Sequence, residues 1–132
     1  SQPITEQSEQ VLNTYDQAIL LIRKGRLNEA LSALNTFVQV NDDSDDTPLA
    51  YFWMGEINLT NGNLAVATQN YNTLVGLYPT HWKVPLAKFK LGTIYLEQGN
   101  DVRATAQFEN VIKEFPESSA AKASAETLSS LE

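Results

Sequence analysis

The chain contains no cysteine among its 132 residues, so disulfides, cysteine-ligated zinc and thiol catalysis are excluded from the outset. It has a single histidine, His81, which leaves no pair of imidazoles for a metal site or an acid–base relay. No apolar run approaches the roughly 18 residues that a membrane-spanning helix needs, so the chain as it stands is expected to be soluble, without membrane insertion. Its opening, Ser1-Gln2-Pro3, is not a basic-then-apolar leader; a secretion signal is expected to have been removed or never to have existed. No Gly-rich phosphate loop, no Gly-x-Ser-x-Gly elbow and no His-Glu-x-x-His occurs. The sequence therefore offers no catalytic constellation, and an enzyme is not expected.

Basic residues are scarce as well. Nine Lys and Arg stand against 16 Asp and Glu, a net charge of -7. Arg23, Lys24 and Arg26 form the longest basic cluster, too short to hold a nucleic acid against that average. The charge is also uneven. Residues 1–47 carry three bases and eight acids, residues 48–84 only Glu56 and Lys83, and residues 85–132 five bases and seven acids. The nearly uncharged middle third holds both tryptophans together with Tyr51, Phe52, Tyr71 and Tyr78. Interface cores show that combination. So does a repeat covered by a neighbour on each side.

What is present in abundance is periodicity. Gly25, Gly62 and Gly99 are spaced by 37 residues, as are Ala30, Ala67 and Ala104. The same interval separates Leu12, Leu49 and Leu86; Tyr15, Phe52 and Phe89; Ala18, Gly55 and Gly92; and Leu34, Tyr71 and Phe108. Coincident columns at one spacing define a three-unit repeat, with units at about 11–47, 48–84 and 85–121. Residues 1–10 are polar and aperiodic and read as a linker, leaving 11–132 as the repeat domain.

Each unit reads as two helices. In the second, Thr47-Pro48 supplies an N-cap and a proline in the first turn, where its missing N–H costs nothing. An apolar stretch follows through Tyr51, Phe52, Trp53, Met54, Ile57 and Leu59, until Asn61-Gly62-Asn63 stops it with a left-handed glycine. Leu64, Ala67, Tyr71, Leu74 and Val75 then recur at helical spacing, and Tyr78-Pro79 closes the unit. The third unit repeats this with Val84-Pro85, Gln98-Gly99-Asn100 and Phe115-Pro116. The first opens at Val11 without proline and closes on Asn41-Asp42. A last helix over about 118–131, capped by Ser118 or Ser119, carries Ala121, Ala125, Leu128 and Leu131 as a stripe that covers the open end of the stack.

These columns resemble the tetratricopeptide repeat, whose pattern is an aromatic, Leu-Gly, Tyr, Ala, Phe and Pro at fixed offsets. Unit three matches at Leu91-Gly92, Tyr95, Ala104, Phe108 and Pro116, with Lys88 at the aromatic position. Unit two matches at Tyr51, Met54-Gly55, Ala67, Tyr71 and Pro79, with Asn58 in place of Tyr. Unit one keeps Ala18, Ala30 and Leu34, with Thr14 and Asp42 at its two ends. The resemblance implies an all-α, right-handed superhelical stack of three helix pairs plus a C-terminal capping helix. Small residues let two helix axes approach while a large one fills the space beside them, placing Gly55, Gly92 and Ala67 at close crossings.

A narrower resemblance is to the CpoB (YbgF) family, periplasmic proteins of the Tol-Pal system. It rests on Ala50-Tyr51-Phe52-Trp53-Met54-Gly55-Glu56, on the 37-residue period in three units, and on Phe115-Pro116 followed by Ala121-Lys122-Ala123 and Leu128. It implies a periplasmic, TolA-binding interaction scaffold that coordinates envelope constriction with the peptidoglycan synthase machinery during cell division. It also implies oligomerisation through a coiled coil upstream of residue 1. No cofactor is implied. A repeat module of another periplasmic or outer-membrane assembly protein, or a ligand-binding regulatory domain, stays open beside it.

In tetratricopeptide arrays the first helices of the pairs line a concave groove. Carried over column by column, the partner-facing positions are Leu12, Tyr15, Ile19, Ile22 and Arg23 in unit one. In unit two they are Leu49, Phe52, Glu56, Leu59 and Thr60, and in unit three Leu86, Phe89, Thr93, Leu96 and Glu97. Phe52 and Phe89 are the implied anchors of an apolar helix or strand. The same columns fit a buried core, since these helices are apolar nearly all round.

Three other features read as structural. His81 is expected to pack beside Trp82 in a loop. Asp42, Asp43, Asp45 and Asp46 lack the Gly and Glu that an EF-hand loop requires at positions six and twelve, and read as a solvated acidic loop near a helix N-terminus. Asn58-Leu59-Thr60 matches a glycosylation sequon but falls inside a helix.

Overall fold

A computed structural model describes residues 14–132, and all seven helices of the described chain run in sequence order with no strand among them. Helix α1 spans residues 14–23 within the described chain. It is followed by α2 (Leu27–Val40), α3 (Thr47–Thr60), α4 (Leu64–Leu77), α5 (Val84–Glu97), α6 (Asp101–Glu114) and α7 (Ser119–Ser130). The expected linker, Val11 and Leu12 lie outside the described residues. Helices α3 to α6 are each 14 residues long, and the first helix of each pair, helix A, meets the second, helix B, through a three-residue turn. Six residues, 41–46 and 78–83, connect one pair to the next and complete the 37-residue period.

The A-to-B turns are built identically. Gly25, Gly62 and Gly99 take φ of +75°, +79° and +78°. At the second turn the Gly62 N–H donates to the Leu59 carbonyl (3.0 Å) and the Asn63 N–H to that of Asn58 (2.8 Å). Gly25 with Arg26, and Gly99 with Asn100, make the same two bonds. This double closure of a helix C-terminus requires a residue in the left-handed region, where a side chain is strained.

Packing follows the small and large columns. Ala18, Ala30, Ala67 and Ala104 are fully buried, and so are Leu34, Tyr71 and Phe108. A Cβ placed on Gly55 would stand 2.6 Å from the Tyr71 ring, and one on Gly92 would stand 2.5 Å from the Phe108 ring. In the second and third pairs the two helices therefore touch through a glycine that an aromatic ring covers. Between pairs, α2 packs on α3 and α4 on α5, while α7 packs on both α5 and α6.

Two local expectations need correction. Thr47 is the first helical residue rather than the N-cap, which is Asp46; its hydroxyl turns back and donates to the Asn41 carbonyl, tying the acidic loop to the helix it precedes. In the capping helix, Ser118 does cap, accepting from the Ala121 N–H at 3.0 Å. The covering stripe, however, is Ala120, Ala121 and Ser124, while Ala125 and Leu131 face solvent and Leu128 is half-buried. The small side chains let α7 lie close against Val111 and Phe89.

Candidate partner-binding face

The A helices are α1, α3 and α5. Their proposed partner-facing columns do not form one uniform surface. Tyr15 is 8% exposed and packs with Phe37, ring centroids 5.7 Å apart, inside the first core cluster. Phe52 is 4% exposed and joins Tyr71, Leu74, Ala87, Leu91 and Ile94 in the second. Both rings are therefore core, at variance with the expectation that Phe52 anchors a partner. The reason is geometric: Phe52 meets Tyr71 of its own unit edge-on (5.8 Å, 63°) and shares a buried cluster with Ala87, Leu91 and Ile94 of unit three, so it plugs the junction between the two units. Phe89 is half-buried beside Phe108 (5.6 Å) and the capping helix.

The remaining positions are partly open. Ile19, Ile22 and Leu49 pack on the first cluster and Leu59 and Leu86 on the second, each half-buried, and Leu96 is half-buried as well. Thr60, Arg23 and Glu97 are exposed. Thr93 is half-buried, with its hydroxyl donating to the Lys90 carbonyl at 2.7 Å. The surface so formed alternates apolar edges with a few polar groups, as interfaces on soluble proteins do.

Its electrostatic centre is Glu56. The Tyr71 hydroxyl donates to the Glu56 carboxylate at 2.5 Å, and Lys90 Nζ lies 3.4 Å from the same oxygen. Burial, reinforced by that carboxylate, pushes the Tyr71 hydroxyl far above its ordinary range, so it remains a donor at any physiological pH. Glu56 thereby links α3 to α5 through Lys90 and to α4 through Tyr71. Nothing in the sequence pattern pointed to Lys90; its column holds Trp53 in unit two, and only the superposition of units brings it opposite Glu56.

Asn58, the residue at the missing Tyr position, is buried. Its amide donates to the Asn70 side chain at 2.8 Å and to the Met54 carbonyl at 3.0 Å, so the sequon it heads is closed inside the folded unit. His81 stacks on Trp82 with centroids 5.3 Å apart, and its Nδ1 accepts the Lys83 N–H at 3.0 Å. Among the described residues no group of three or more His, Asp or Glu side chains is placed to hold a metal ion. No described helix is long and apolar enough to cross a membrane.

Comparison with known families agrees with this architecture. The Tetratricopeptide repeat matches residues 15–81, and a second form of the same repeat matches residues 86–118. The chain belongs to the tetratricopeptide-repeat family. A search of curated proteins gave no match. Among solved structures, the repeat fold resembles MamA, with 21% identity, a TM-score of 0.69, and coverage of 87% of this chain and 64% of MamA. The Yersinia enterocolitica chaperone SycD, solved with a peptide of the translocator YopD, has 14% identity and a TM-score of 0.73, covering 89% of this chain and 86% of SycD. The first repeat domain of Spaghetti (RPAP3), bound to an HSP90 peptide, has 16% identity and a TM-score of 0.73, covering 94% of each chain. The chain thus spans less than two thirds of the MamA structure it matches. At these identities the likeness establishes the shared stack of helix pairs, and the tetratricopeptide module marks an interaction scaffold for proteins.

Proposed function

We propose that this scaffold is the TolA-binding repeat domain of a periplasmic, Tol-Pal-associated protein of the CpoB kind, which coordinates envelope constriction with peptidoglycan synthesis during cell division. The observation that carries the binding reading is the surface of the A helices. There, half-buried Leu49, Leu59, Leu86 and Leu96 leave apolar edges open around the polar link of Glu56 and Lys90. Two structural neighbours, SycD and Spaghetti, were solved with a peptide bound, which supports a peptide or helix as the occupant. The choice of TolA rests on the resemblance of Ala50–Glu56 and of the C-terminal segment to the CpoB family. In the whole protein an upstream coiled coil would multiply the sites and raise avidity.

Calorimetric titration of the chain with purified TolA domains tests this assignment. A saturable heat with one domain supports it. Absence of heat with every domain contradicts the choice of TolA.

A further inference from the structure

The edge of the stack where each B helix hands over to the next A helix carries a feature that the A-helix face does not explain. Trp82 is 70% exposed, and it is the only aromatic side chain among the described residues that stands mostly in solvent. An exposed indole is costly to hydrate, and tryptophan is among the side chains enriched at the hot spots of protein interfaces. This one is also held in place. Its ring stacks on His81, whose Nδ1 is fixed by the Lys83 N–H, and Lys83 Nζ lies 5.1 Å from the indole and 4.4 Å from the Phe52 ring. Little side-chain entropy remains to be lost when a partner covers it.

Trp82 separates two cavities. The larger, about 600 Å³, has apolar walls of Pro48, Leu49, Tyr78 and Trp82 and a rim formed by the acidic loop 42–46. The smaller, about 150 Å³, lies on the other side of the indole against Pro85, Leu86 and the start of α7. The rim is strongly one-signed. Asp42, Asp43, Asp45 and Asp46 have no salt-bridge partner among the described residues. Burial first, and then Asp16 and Asp45, push the Asp46 carboxyl above the ordinary carboxylate range. The loop is anchored at both ends, by the Thr47 hydroxyl on the Asn41 carbonyl and by the Tyr78 hydroxyl donating to the Asp42 carbonyl at 3.2 Å.

We propose that this loop edge is a second docking surface, and that its occupant is an extended segment of a partner protein with lysine or arginine side chains next to apolar ones. The apolar side chain lies in the cavity against Leu49 and Trp82, and the cation enters the carboxylate rim. Charge complementarity selects this occupant, because an acidic segment would bring like charge against four aspartates that have no salt-bridge partner among the described residues. Lys83 and the less acidic second cavity at the other side of Trp82 give the segment a direction, with its basic end toward loop 42–46. This surface adjoins the Glu56–Lys90 face and shares Leu49 and Leu86 with its edge, but Trp82 and the acidic loop lie outside that face, and docking here does not depend on the identity of the partner that face takes.

Calorimetry with the whole chain and two hexapeptides tests the proposal: Ac-Arg-Leu-Arg-Leu-Arg-Leu-amide and its counterpart with Glu for each Arg. The basic peptide is expected to bind with one-to-one stoichiometry, and at least tenfold more tightly than the acidic one. Trp82→Ala, and separately the triple change Asp42→Asn, Asp43→Asn and Asp45→Asn, are each expected to weaken it at least tenfold. All four positions are exposed, so the helical circular dichroism should match the parent. Equal affinity for the two peptides would overturn the proposal. So would binding of the basic peptide that Trp82→Ala leaves unchanged, because that describes diffuse attraction to an acidic chain.

Discussion

The Tyr71 ring lies over Gly55 so closely that a Cβ there would be 2.6 Å from it. The ring's hydroxyl then reaches on to Glu56, the next residue of the same helix. One side chain thus closes the helix pair and sets the charge at the surface. The relationship also explains how the columns vary together. Gly55 faces Tyr71 and Gly92 faces Phe108, whereas in unit one, where the small residue is Ala18, the large one is Leu34 and no ring is present. A methyl on one helix and a ring on the other would not fit the same crossing.

Gly92→Leu is therefore expected to overpack the α5–α6 crossing, and to cost about 1–3 kcal/mol in urea unfolding. Adding Phe108→Leu should recover part of that loss, giving a coupling of at least about 0.5 kcal/mol in the double-mutant cycle. Strict additivity would mean that the two residues do not share a crossing.

Asn58 and Asn70 form a buried amide pair where unit one has Leu21 and Ala33. Asn58→Leu alone strands the Asn70 amide and is expected to cost about 1–3 kcal/mol, whereas Asn58→Leu with Asn70→Ala copies unit one and should be nearly neutral. Thermal unfolding of the three proteins checks this. A double variant as unstable as the single one would contradict it.

The helix pairs were legible in the sequence because each structural requirement is written three times. A left-handed turn needs glycine, a close crossing needs a small residue, and the gap beside it needs a large one; three copies at 37 residues leave little ambiguity. The orientation of individual side chains was not legible. Helix α3 has apolar residues nearly all round, so periodicity could not say whether Phe52 points to the core or to a partner, and the contact with Tyr71 decides it. The stripe of α7 was misplaced because alanine and serine carry almost no periodic signal, and Ser124 is buried where Ala125 is not. The link between Glu56 and Lys90 joins different columns of different units, which a reading column by column does not compare.

The capping helix is expected to protect the end of the stack. Removing the residues after Pro116 uncovers Val111 and the outer side of Phe89. The truncated chain should unfold at lower urea and scatter more light on concentration. Ser118→Ala removes the bond to the Ala121 N–H and should cost about 1 kcal/mol. Full solubility and stability of the truncated chain would show that α7 covers nothing of consequence.

His81 gives the loop edge a pH dependence. Burial, and secondarily Lys83, lower its pKa below the ordinary value of 6.5, so the folded state prefers the neutral ring. A group depressed on folding contributes stability that is present above its ordinary pKa and lost as the pH falls toward the folded value. The parent should therefore lose more stability than His81→Asn between about pH 7 and about pH 5, and its Trp82 emission should fall as the stacked imidazole becomes charged. Identical pH profiles for the two proteins would contradict the packing described for His81.

The central claim is that a partner binds the A-helix face. The most direct measurement is a backbone amide NMR titration of the chain with the TolA domain that binds in calorimetry. The account predicts that the largest shifts cluster at Leu49, Glu56, Leu59, Leu86, Lys90, Thr93 and Leu96, and that Leu59→Glu with Leu96→Glu weakens binding at least tenfold, about 1.4 kcal/mol, in a chain that stays helical. Shifts confined to α2, α4 and α6, with α3 and α5 silent and the double variant binding as the parent does, would contradict it.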